Sequence, residues 1–299
     1  MIPCEFYSVL DGTGAAYKKD IPLARHSSFG IGGCGEVGIF PKNIEELTAC
    51  ISAAMRYGIK YRVIGKGSNI LFGDGSIGGA FIFTEALDRI EIHGEYVYAQ
   101  AGASLASLSA RAADASLSGL EFAKGIPGSV GGAVFMNAGA YDGQMSDIIT
   151  STTALNVESG EIIKITDHGF SYRESIYIKD PTLICLSAEL LLRCGDKDEI
   201  KGKMREYTAK RREKQPLEFP SAGSYFKRPE GYFAGKLIED CGLKGFCVGG
   251  AAVSEKHAGF VINLGNATAS DVLELEKRVI DTVYKKFGVI LEREVRVIK

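Results

Sequence analysis

The sequence predicts an α+β protein rather than a doubly wound parallel sheet. Segments rich in β-branched and aromatic residues are mixed with amphipathic segments of helical period, but the two do not alternate in the regular rhythm of βαβ units. The chain has 299 residues, of which 45% are hydrophobic, so it can bury a sizeable core and divide into two or three compact units. No internal repeat or low-complexity linker interrupts this pattern.

Helices are predicted where a capping residue precedes an amphipathic segment and a glycine follows it. The first covers 43–57, with Asn43 as N-cap and Gly58 after its last turn. The other helices are predicted at 104–118, 201–214, 232–241 and 270–287. Strands are predicted from β-branched and aromatic residues at Tyr61–Ile64, 80–84, Ile90–His93, 96–101, 152–157, 161–165, 183–192, 258–264 and 290–298.

The charge balance excludes several classes of protein. Lys and Arg number 35 and Asp and Glu number 37, so the net charge of −2 creates no field that would recruit nucleic acid or an anionic membrane. Residues 1–6 do not open a secretory signal, and no run of about 18 apolar residues predicts a membrane span. We expect a soluble cytoplasmic protein, a monomer or weak oligomer, that binds neither nucleic acid nor membrane.

Cysteine and histidine patterns predict neither disulfides nor a metal site. The seven cysteines are odd in number and include no Cys-x-x-Cys pair. Six of them are expected to be reduced core thiols: Cys34, Cys50, Cys185, Cys194, Cys241 and Cys247. The histidines lack metal-ligand spacing, and three are expected at the surface or in turns: His26, His93 and His168.

Familiar nucleotide-binding motifs are absent or out of context. Residues 30–35 satisfy the Rossmann glycine pattern, but a strand-like segment at 37–40 follows where a helix should begin. The chain also contains no Walker A loop and no Gly-x-Ser-x-Gly elbow.

Two glycine-rich loops are the most informative features. The run 125–141 contains five glycines and no charged residue, and the loop 65–69 follows the strand predicted at Tyr61–Ile64. Glycine lets main chain approach a ligand closely, and backbone N–H groups can bind phosphate. Two such loops in one chain predict a dinucleotide without specifying which one.

Three polar segments are candidates for chemistry, each with an ordinary alternative. Segment 170–175 places Arg173 beside an aromatic residue, although a solvated loop residue is the alternative. Segment 221–229 places Ser224 after glycine among aromatics and cations, although it could be an ordinary turn. Segment 291–297 puts Glu294 and Arg296 on one face of a strand, which is also typical of a charged edge strand. Residue types alone leave all three open.

In this order the segments resemble the UDP-N-acetylenolpyruvoylglucosamine reductases, the flavoenzymes that complete UDP-N-acetylmuramate for bacterial peptidoglycan. The similarity extends over about 25–298 and rests on 65–69, 125–141, Tyr172-Arg173, Gly223-Ser224 with Phe226-Lys227, and 291–296. It implies a vanillyl-alcohol-oxidase-type FAD-binding fold of two α+β subdomains, followed by a C-terminal α+β substrate-binding domain. The implied boundaries are 1–85 joined by the strand 290–299, 86–200, and 201–289.

The resemblance also implies FAD held non-covalently and NADPH as hydride donor. Hydride would pass from NADPH to flavin N5 and then to C3 of the enolpyruvyl ether, while Ser224 protonates C2. Arg173 and Glu294 would stabilise the charge that develops on the carboxylate. Burial would raise the pKa of Glu294 and Arg296 would lower it, so the sequence leaves its protonation state open. The implied cofactor-binding residues are Gly65, Lys66, Gly67, Ser68, Asn69, Gly125, Ile126, Pro127, Gly128, Ser129, Gly131, Gly132, Asn137 and Gly139.

The substrate would be UDP-N-acetylglucosamine enolpyruvate. Arg211 or Arg212 would contact its diphosphate, because a guanidinium suits forked phosphate contacts. The other implied substrate residues are Tyr172, Lys227, His257, Asn263 and Arg296. Larger family members carry a tyrosine-bearing insertion, and segment 175–183 is too short to hold it. Two alternatives are another FAD oxidoreductase of this fold acting on a hydroxyl substrate, and a catalytically silent binding protein.

Overall fold

The structure, a computed structural model, describes residues 2–299 and divides them into two compact units. The first comprises 2–19, 36–66 and 78–210, and the second comprises 20–35, 67–77 and 211–299. The helices are α1 Cys4–Thr13, α2 Ile44–Arg56, α3 Leu105–Asp114, α4 Val130–Phe135, α5 Ile176–Lys179, α6 Lys197–Lys214, α7 Ala234–Asp240 and α8 Ala269–Phe287. Short 3-10 helices lie at Leu23–His26, Glu121–Gly125 and Met145–Asp147.

The strands include most of those predicted, together with several short ones. They are β1 Ala16–Pro22, β2 Cys34–Phe40, β3 Tyr61–Ile64, β4 Ile70–Phe72, β5 Ser76–Phe83, β6 Ile90–His93, β7 Tyr96–Gln100, β8 Leu117–Ser118, β9 Gly139–Ala140, β10 Gly143–Gln144, β11 Ile149–Asn156, β12 Ile162–Ile165, β13 Leu183–Leu191, β14 Arg193–Cys194, β15 Ser221–Ser224, β16 Cys247–Val248, β17 Ala251–Val253, β18 Phe260–Asn263 and β19 Arg296–Ile298. Because β2 occupies 34–40, the glycine pattern at 30–35 opens a strand and not a Rossmann helix.

Two of the predicted helices begin and end where their caps indicate. The Asn43 side chain accepts a hydrogen bond of 2.7 Å from the Glu46 N–H at the start of α2. Helix α8 opens with a reciprocal capping box between Thr268 and Asp271, and it ends at Gly288 in the left-handed conformation. Local chemistry therefore fixes both helices.

The first unit contains an antiparallel sheet in the order β12-β11-β13-β7-β6. Helix α4 packs against β7 and β13 of this sheet, and the core beneath it is formed by alanine, leucine and valine side chains. A second core in this unit packs α1 and α2 against the parallel pair β3 and β5. The glycine run 125–141 thus lies on elements anchored to a five-stranded sheet.

The second unit contains an antiparallel sheet in the order β15-β18-β17-β16. Helix α8 packs against β16, β17 and α7, burying Val272, Leu275, Val279 and Val283. Strand β19 pairs in parallel with β4, from Arg296 opposite Ile70 to Ile298 opposite Phe72.

Two predicted elements are much longer than the observed ones. The helix predicted at 104–118 ends at Asp114, because Ser116 has a φ of 58° and residues 117–118 pair with β14 instead. The strand predicted at 290–298 is a strand only over Arg296–Ile298. A bend at Val295 interrupts it, and the preceding residues make one isolated bridge, Arg293 to Phe226. The three functional domains predicted from the resemblance stay a prediction.

Several side chains are placed differently from the sequence prediction. All seven cysteines are free, but only Cys50 is buried, and Cys194 and Cys247 are exposed rather than in the core. Neither residue faces a complete apolar layer, because Cys194 lies in the two-residue strand β14 and Cys247 lies in β16 at the edge of its sheet. None of the helices within 2–299 has the length and apolar character needed to cross a bilayer. No group of three metal-ligating side chains is found across the same residues.

The prediction for His168 is wrong, because its side chain is buried in the first unit. Its Nε2 lies 3.0 Å from the Thr152 hydroxyl, which also lies 2.6 Å from the Tyr177 hydroxyl. The His168 carbonyl accepts a hydrogen bond from the Ile176 N–H, so this network supports the base of the loop that carries Arg173. Burial lowers the pKa of His168 below its ordinary value.

The buried His168 makes the stability of the protein depend on pH. Its folded-state pKa is lowered, so only the unfolded chain gains a proton as the pH falls through about 6.5. The free energy of unfolding of the wild type is therefore expected to fall, relative to that of His168→Gln, between pH 8 and pH 5. Urea unfolding at a series of pH values measures this difference, with His93→Gln, which changes an exposed histidine, as control. Parallel curves for the wild type and His168→Gln would contradict the assignment.

Candidate functional site

In the first unit, the start of one glycine loop lies against the other. Gly65 directly follows β3, and Ser129 is the N-cap of α4. A Cβ on Gly65 would lie 2.2 Å from the Ser129 Oγ, well inside van der Waals contact. Only the absence of a side chain at Gly65 permits this approach, so the first residue of loop 65–69 lies against the run 125–141 in the first unit.

Two adjacent glycines of α4 have different surroundings. A Cβ on Gly131 would lie 2.8 Å from the Ala101 Cβ at the end of β7, because the Gly131 N–H donates to the Ala101 carbonyl at 2.8 Å. A Cβ on Gly132 would meet only the Ser129 Oγ, at 3.4 Å. Packing against Ala101 therefore explains why position 131 is a glycine. No contact within the protein explains why position 132 is one.

The Tyr-Arg motif is joined to the same glycine run. The buried Asn137 donates from Nδ2 to the Ser171 carbonyl at 3.0 Å and accepts the Ser146 N–H at 2.9 Å. Arg173 has a φ of 57°, and its Nη2 lies 3.4 Å from the Gly139 carbonyl. Its guanidinium also lies 5.2 Å from the centroid of the Tyr172 ring. The first unit thus brings Arg173 to the edge of the glycine surface.

In the second unit, the rest of loop 65–69 is joined to the C-terminal motif. Gly67 has a φ of 60°, and a Cβ there would lie 1.9 Å from the His26 carbonyl oxygen, so only glycine fits. Asn69 donates from Nδ2 to the Glu294 carbonyl at 3.2 Å. Its own carbonyl accepts the Arg296 N–H at 3.0 Å. Asn69 therefore fixes the main chain on both sides of Val295.

The Gly-Ser motif lies beside the same segment. The Glu294 N–H donates to the Tyr225 carbonyl at 2.9 Å, and the Lys227 N–H donates to the Glu292 carbonyl at 2.8 Å. The Lys227 Nζ also lies 3.3 Å from the Glu292 carboxylate. Ser224 is exposed at the end of β15, so its hydroxyl is accessible. The second unit brings the segments that carry the predicted acid and the predicted carboxyl next to each other, through one isolated bridge between Phe226 and Arg293.

The remaining predicted residues of the second unit have assigned contacts of their own. The Arg211 Nε donates to the Gln215 Oε1 at 2.9 Å, and the Arg212 carbonyl accepts a bond from Lys256. The buried Asn263 makes three hydrogen bonds, to Phe29, Gly265 and Ala267, which account for its burial. Burial also lowers the pKa of Arg296.

His257 lies in the second unit near Gly235 and Gly259, with its ring edge-on to Phe260. Its Nδ1 accepts the Gly259 N–H at 3.0 Å, so the proton of the neutral ring is on Nε2. Burial lowers its pKa and favours the neutral form. The side chain can therefore donate one hydrogen bond from Nε2.

Sequence reasoning missed two side-chain groups near these motifs. In the first unit, the exposed ring of Tyr141, at the end of the glycine run, stacks on Tyr207 with centroids 4.0 Å apart. In the second unit, Glu276 of α8 bonds to both Tyr225 and Arg293. Tyr141 could have been found from its position at the end of the glycine run 125–141. No residue near Glu276 in the sequence indicates that Tyr225 and Arg293 are its partners.

Comparison with known proteins decides the family. Residues 215–298 match the model of the UDP-N-acetylenolpyruvoylglucosamine reductase C-terminal domain, and residues 36–166 match that of an FAD binding domain. The chain is 45% identical over 297 residues to the UDP-N-acetylenolpyruvoylglucosamine reductase of Caldicellulosiruptor bescii, covering 98% of this chain and 94% of the relative. The chain belongs to the UDP-N-acetylenolpyruvoylglucosamine reductase family.

Solved structures agree with this family and its fold. The crystal structure of UDP-N-acetylenolpyruvylglucosamine reductase from Thermus caldophilus matches with a TM-score of 0.81 and 35% identity, over 95% of this chain and 99% of that one. Wild-type Phl p 4.0202, a glucose dehydrogenase, matches with a TM-score of 0.50 and 14% identity, over 64% of this chain and 44% of that one, which shows a shared fold alone. The predicted family and the vanillyl-alcohol-oxidase-type fold are confirmed.

The residues present fit the cofactor that the family uses. The glycine run of the first unit offers main chain free of a side chain at Gly132, where no protein contact requires glycine, as a flavin nucleotide requires. The chain is an FAD-containing oxidoreductase of this family. The individual cofactor contacts at 65–69 and 125–139 stay a prediction.

The two glycines of α4 allow packing to be separated from cofactor binding. Gly131→Ala is expected to destabilise the apoprotein by about 1–3 kcal/mol, because its Cβ would press on Ala101. Gly132→Ala is expected to leave the melting temperature of the apoprotein unchanged or higher, yet to weaken FAD binding about tenfold or more by filling space that the cofactor needs. Calorimetry and titration with FAD measure these effects.

The control for this pair is Gly12→Ala in α1, where a Cβ would meet no atom within 4 Å. This variant is expected to change the free energy of unfolding only through the higher helix propensity of alanine. Its FAD affinity is expected to equal that of the wild type. Unaltered FAD affinity in Gly132→Ala would refute the predicted contact.

Proposed function

We propose that the protein catalyses the NADPH-dependent reduction of UDP-N-acetylglucosamine enolpyruvate to UDP-N-acetylmuramate, a step of peptidoglycan precursor synthesis, in the cytoplasm. Family membership over 98% of the chain supports the reaction. The observation that carries the residue assignment is the hydrogen bond from the Glu294 N–H to the Tyr225 carbonyl, which joins the two motifs needed to protonate and stabilise the product carbon.

The proposed cofactor site uses main-chain N–H groups rather than a helix dipole. Residues 65–69 and 125–139 hold the pyrophosphate and the edge of the ring system, with Asn137 bracing the run from behind. When bound non-covalently, FAD supplies the hydride chemistry by which NADPH reduces the enolpyruvyl carbon.

Ser224 is the proposed proton donor to C2 of the substrate. A serine hydroxyl is a poor acid, so it requires a strongly basic acceptor and a nearby cation to offset the alkoxide. Lys227, three residues later and held against Glu292, is the cation of the second unit that suits this task. The exposed position of Ser224 leaves the hydroxyl accessible to a ligand.

Arg173 and Glu294 are proposed to stabilise the negative charge that spreads into the substrate carboxylate. The backbone of Arg173 is in the left-handed region, which turns this side chain toward the Gly139 carbonyl, and a cation preorganised in this way stabilises developing charge. Glu294 acts as a hydrogen-bond donor and is therefore proposed to be protonated in the complex.

The proposed substrate contacts divide by chemistry. Arg211 or Arg212 binds the diphosphate, because both lie in the basic last turn of α6. His257 donates a hydrogen bond from Nε2. The further proposed contacts are Tyr172, Lys227, Asn263 and Arg296. We also propose that the functional domains are 1–85 with 290–299, 86–200 and 201–289, and that the protein acts as a monomer or weak oligomer.

The visible spectrum of the purified protein tests the proposed reaction. Under anaerobic conditions, NADPH is expected to bleach the visible absorption bands of the oxidised flavin. The enolpyruvyl sugar nucleotide is then expected to restore them. Restoration by oxygen alone, or bleaching by a hydroxyl substrate without NADPH, would instead indicate an oxidase or dehydrogenase of the same fold.

Ser224→Ala separates the two halves of the reaction. NADPH should still reduce the flavin at the wild-type rate, whereas reoxidation by the enolpyruvyl substrate should slow by about 100-fold or more, because the proton donor is missing. Stopped-flow absorbance measures both rates. Ser221→Ala, in the same strand, is the matched control. If both half-reactions of Ser224→Ala slowed equally, Ser224 would not be the donor.

A further inference from the structure

Three side chains of the second unit form a hydrogen-bonded group behind the Gly-Ser and Glu-x-Arg motifs. The Tyr225 hydroxyl donates to the Glu276 Oε2 at 2.8 Å. The Arg293 Nη1 donates to the same carboxylate, at 3.0 Å to Oε2 and 3.3 Å to Oε1. One carboxylate on α8 thus holds two residues that are distant from each other in sequence.

The two residues held by Glu276 are the immediate neighbours of the proposed catalytic side chains. Tyr225 follows Ser224, and Arg293 precedes Glu294. The main chain of these segments is joined as well, through the Glu294 N–H bond to the Tyr225 carbonyl and the bridge between Phe226 and Arg293. Side chains and main chain therefore fix the same pair of segments.

The geometry of the group makes it a rigid support. Tyr225 is only 1% exposed, and the Glu276 side chain is 12% exposed, so water screens their hydrogen bond poorly. Burial and the Glu276 charge raise the pKa of Tyr225, which keeps its hydroxyl protonated as a donor. Glu276 itself lies inside a long helix capped at both ends, with its apolar face buried.

Packing alone does not require a charged group at 276. Tyr225 could pack against a leucine at position 276 equally well. A carboxylate at this position must be removed from water, which is unfavourable unless its charge is paired. A carboxylate that accepts from both neighbours of the catalytic side chains offsets that cost and fixes the direction of each segment. This arrangement suits a site that must hold a proton donor within a fraction of an ångström of its acceptor.

We propose that Glu276 is a positioning residue, which holds Ser224 and Glu294 in place for the protonation step through Tyr225 and Arg293. This inference rests on the proposed function of Ser224 and Glu294. It predicts that loss of the Glu276 charge impairs the half-reaction in which the substrate is protonated, and spares the half-reaction with NADPH.

The test compares Glu276→Gln with Glu274→Gln in the FAD-loaded enzyme. Glu274 is on the same helix and forms an exposed pair with Arg278 at 2.8 Å, so its variant loses an equal charge away from the motifs. Glu276→Gln is expected to slow flavin reoxidation by the enolpyruvyl sugar nucleotide about tenfold or more, and flavin reduction by NADPH by less than about twofold. Glu274→Gln is expected to change neither rate.

Two further measurements distinguish positioning from stability. Tyr225→Phe removes only the hydroxyl, and it keeps the proposal testable if Glu276→Gln folds poorly. In the Tyr225→Phe background, Glu276→Gln is expected to slow reoxidation less than it does alone, because the two residues act through one group. Melting temperatures of all variants are recorded together with the rates. Comparable slowing of both half-reactions, in proportion to lost stability, would indicate a structural role only.

The outcomes separate this inference from the proposed function. If the wild-type flavin is not reoxidised by the enolpyruvyl sugar nucleotide, the proposed function fails and this inference fails with it. If the wild type and Ser224→Ala behave as expected while Glu276→Gln and Tyr225→Phe match Glu274→Gln, only the positioning role is overturned.

Discussion

Close packing around main chain at positions without a side chain is the constraint on which the rest of this structure depends. A single Cβ would collide with Ser129 at Gly65 and with the His26 carbonyl at Gly67. In the first unit the main chain therefore packs against a buried hydroxyl, and in the second unit it packs against backbone. Both contacts are made by the predicted cofactor loops. Backbone N–H groups can bind a phosphate without cationic side chains, so the proposed contacts of these loops are compatible with a protein whose net charge is −2.

In each unit, hydrogen bonds hold the loops that carry the candidate catalytic side chains. In the first unit, Asn137 and the buried pair of His168 and Thr152 brace the loop that carries Arg173. In the second unit, Asn69 fastens the segment around Glu294 to the end of the glycine loop. Fixed hydrogen bonds therefore support the segments of Arg173 and Glu294, whose side chains are half-buried. Groups held in place in this way need little reorganisation when a ligand binds.

Elements with local signals were predictable from the sequence, and those set by distant partners were not. Asn43 and Gly288 mark helix ends through their own backbone preferences, so α2 and α8 were placed within a residue or two. Ser116 ends its helix early because residues 117–118 pair with β14, which no local pattern reveals. The roles of Arg173, Ser224 and Glu294 came from a family resemblance, while the Glu276 contacts arise only once α8 packs on its sheet.

The pairing of Asn69 with Glu294 joins residues 225 positions apart in sequence. Strand β4 has β19 as its ladder partner, so it has none until the ribosome has added residues 296–298. Contacts of such separation carry a large loop-closure entropy and form slowly. During synthesis β4 of the second unit therefore stays unpaired while most of the first unit can already have folded. In this interval the nascent chain is most accessible to chaperones and most prone to aggregation.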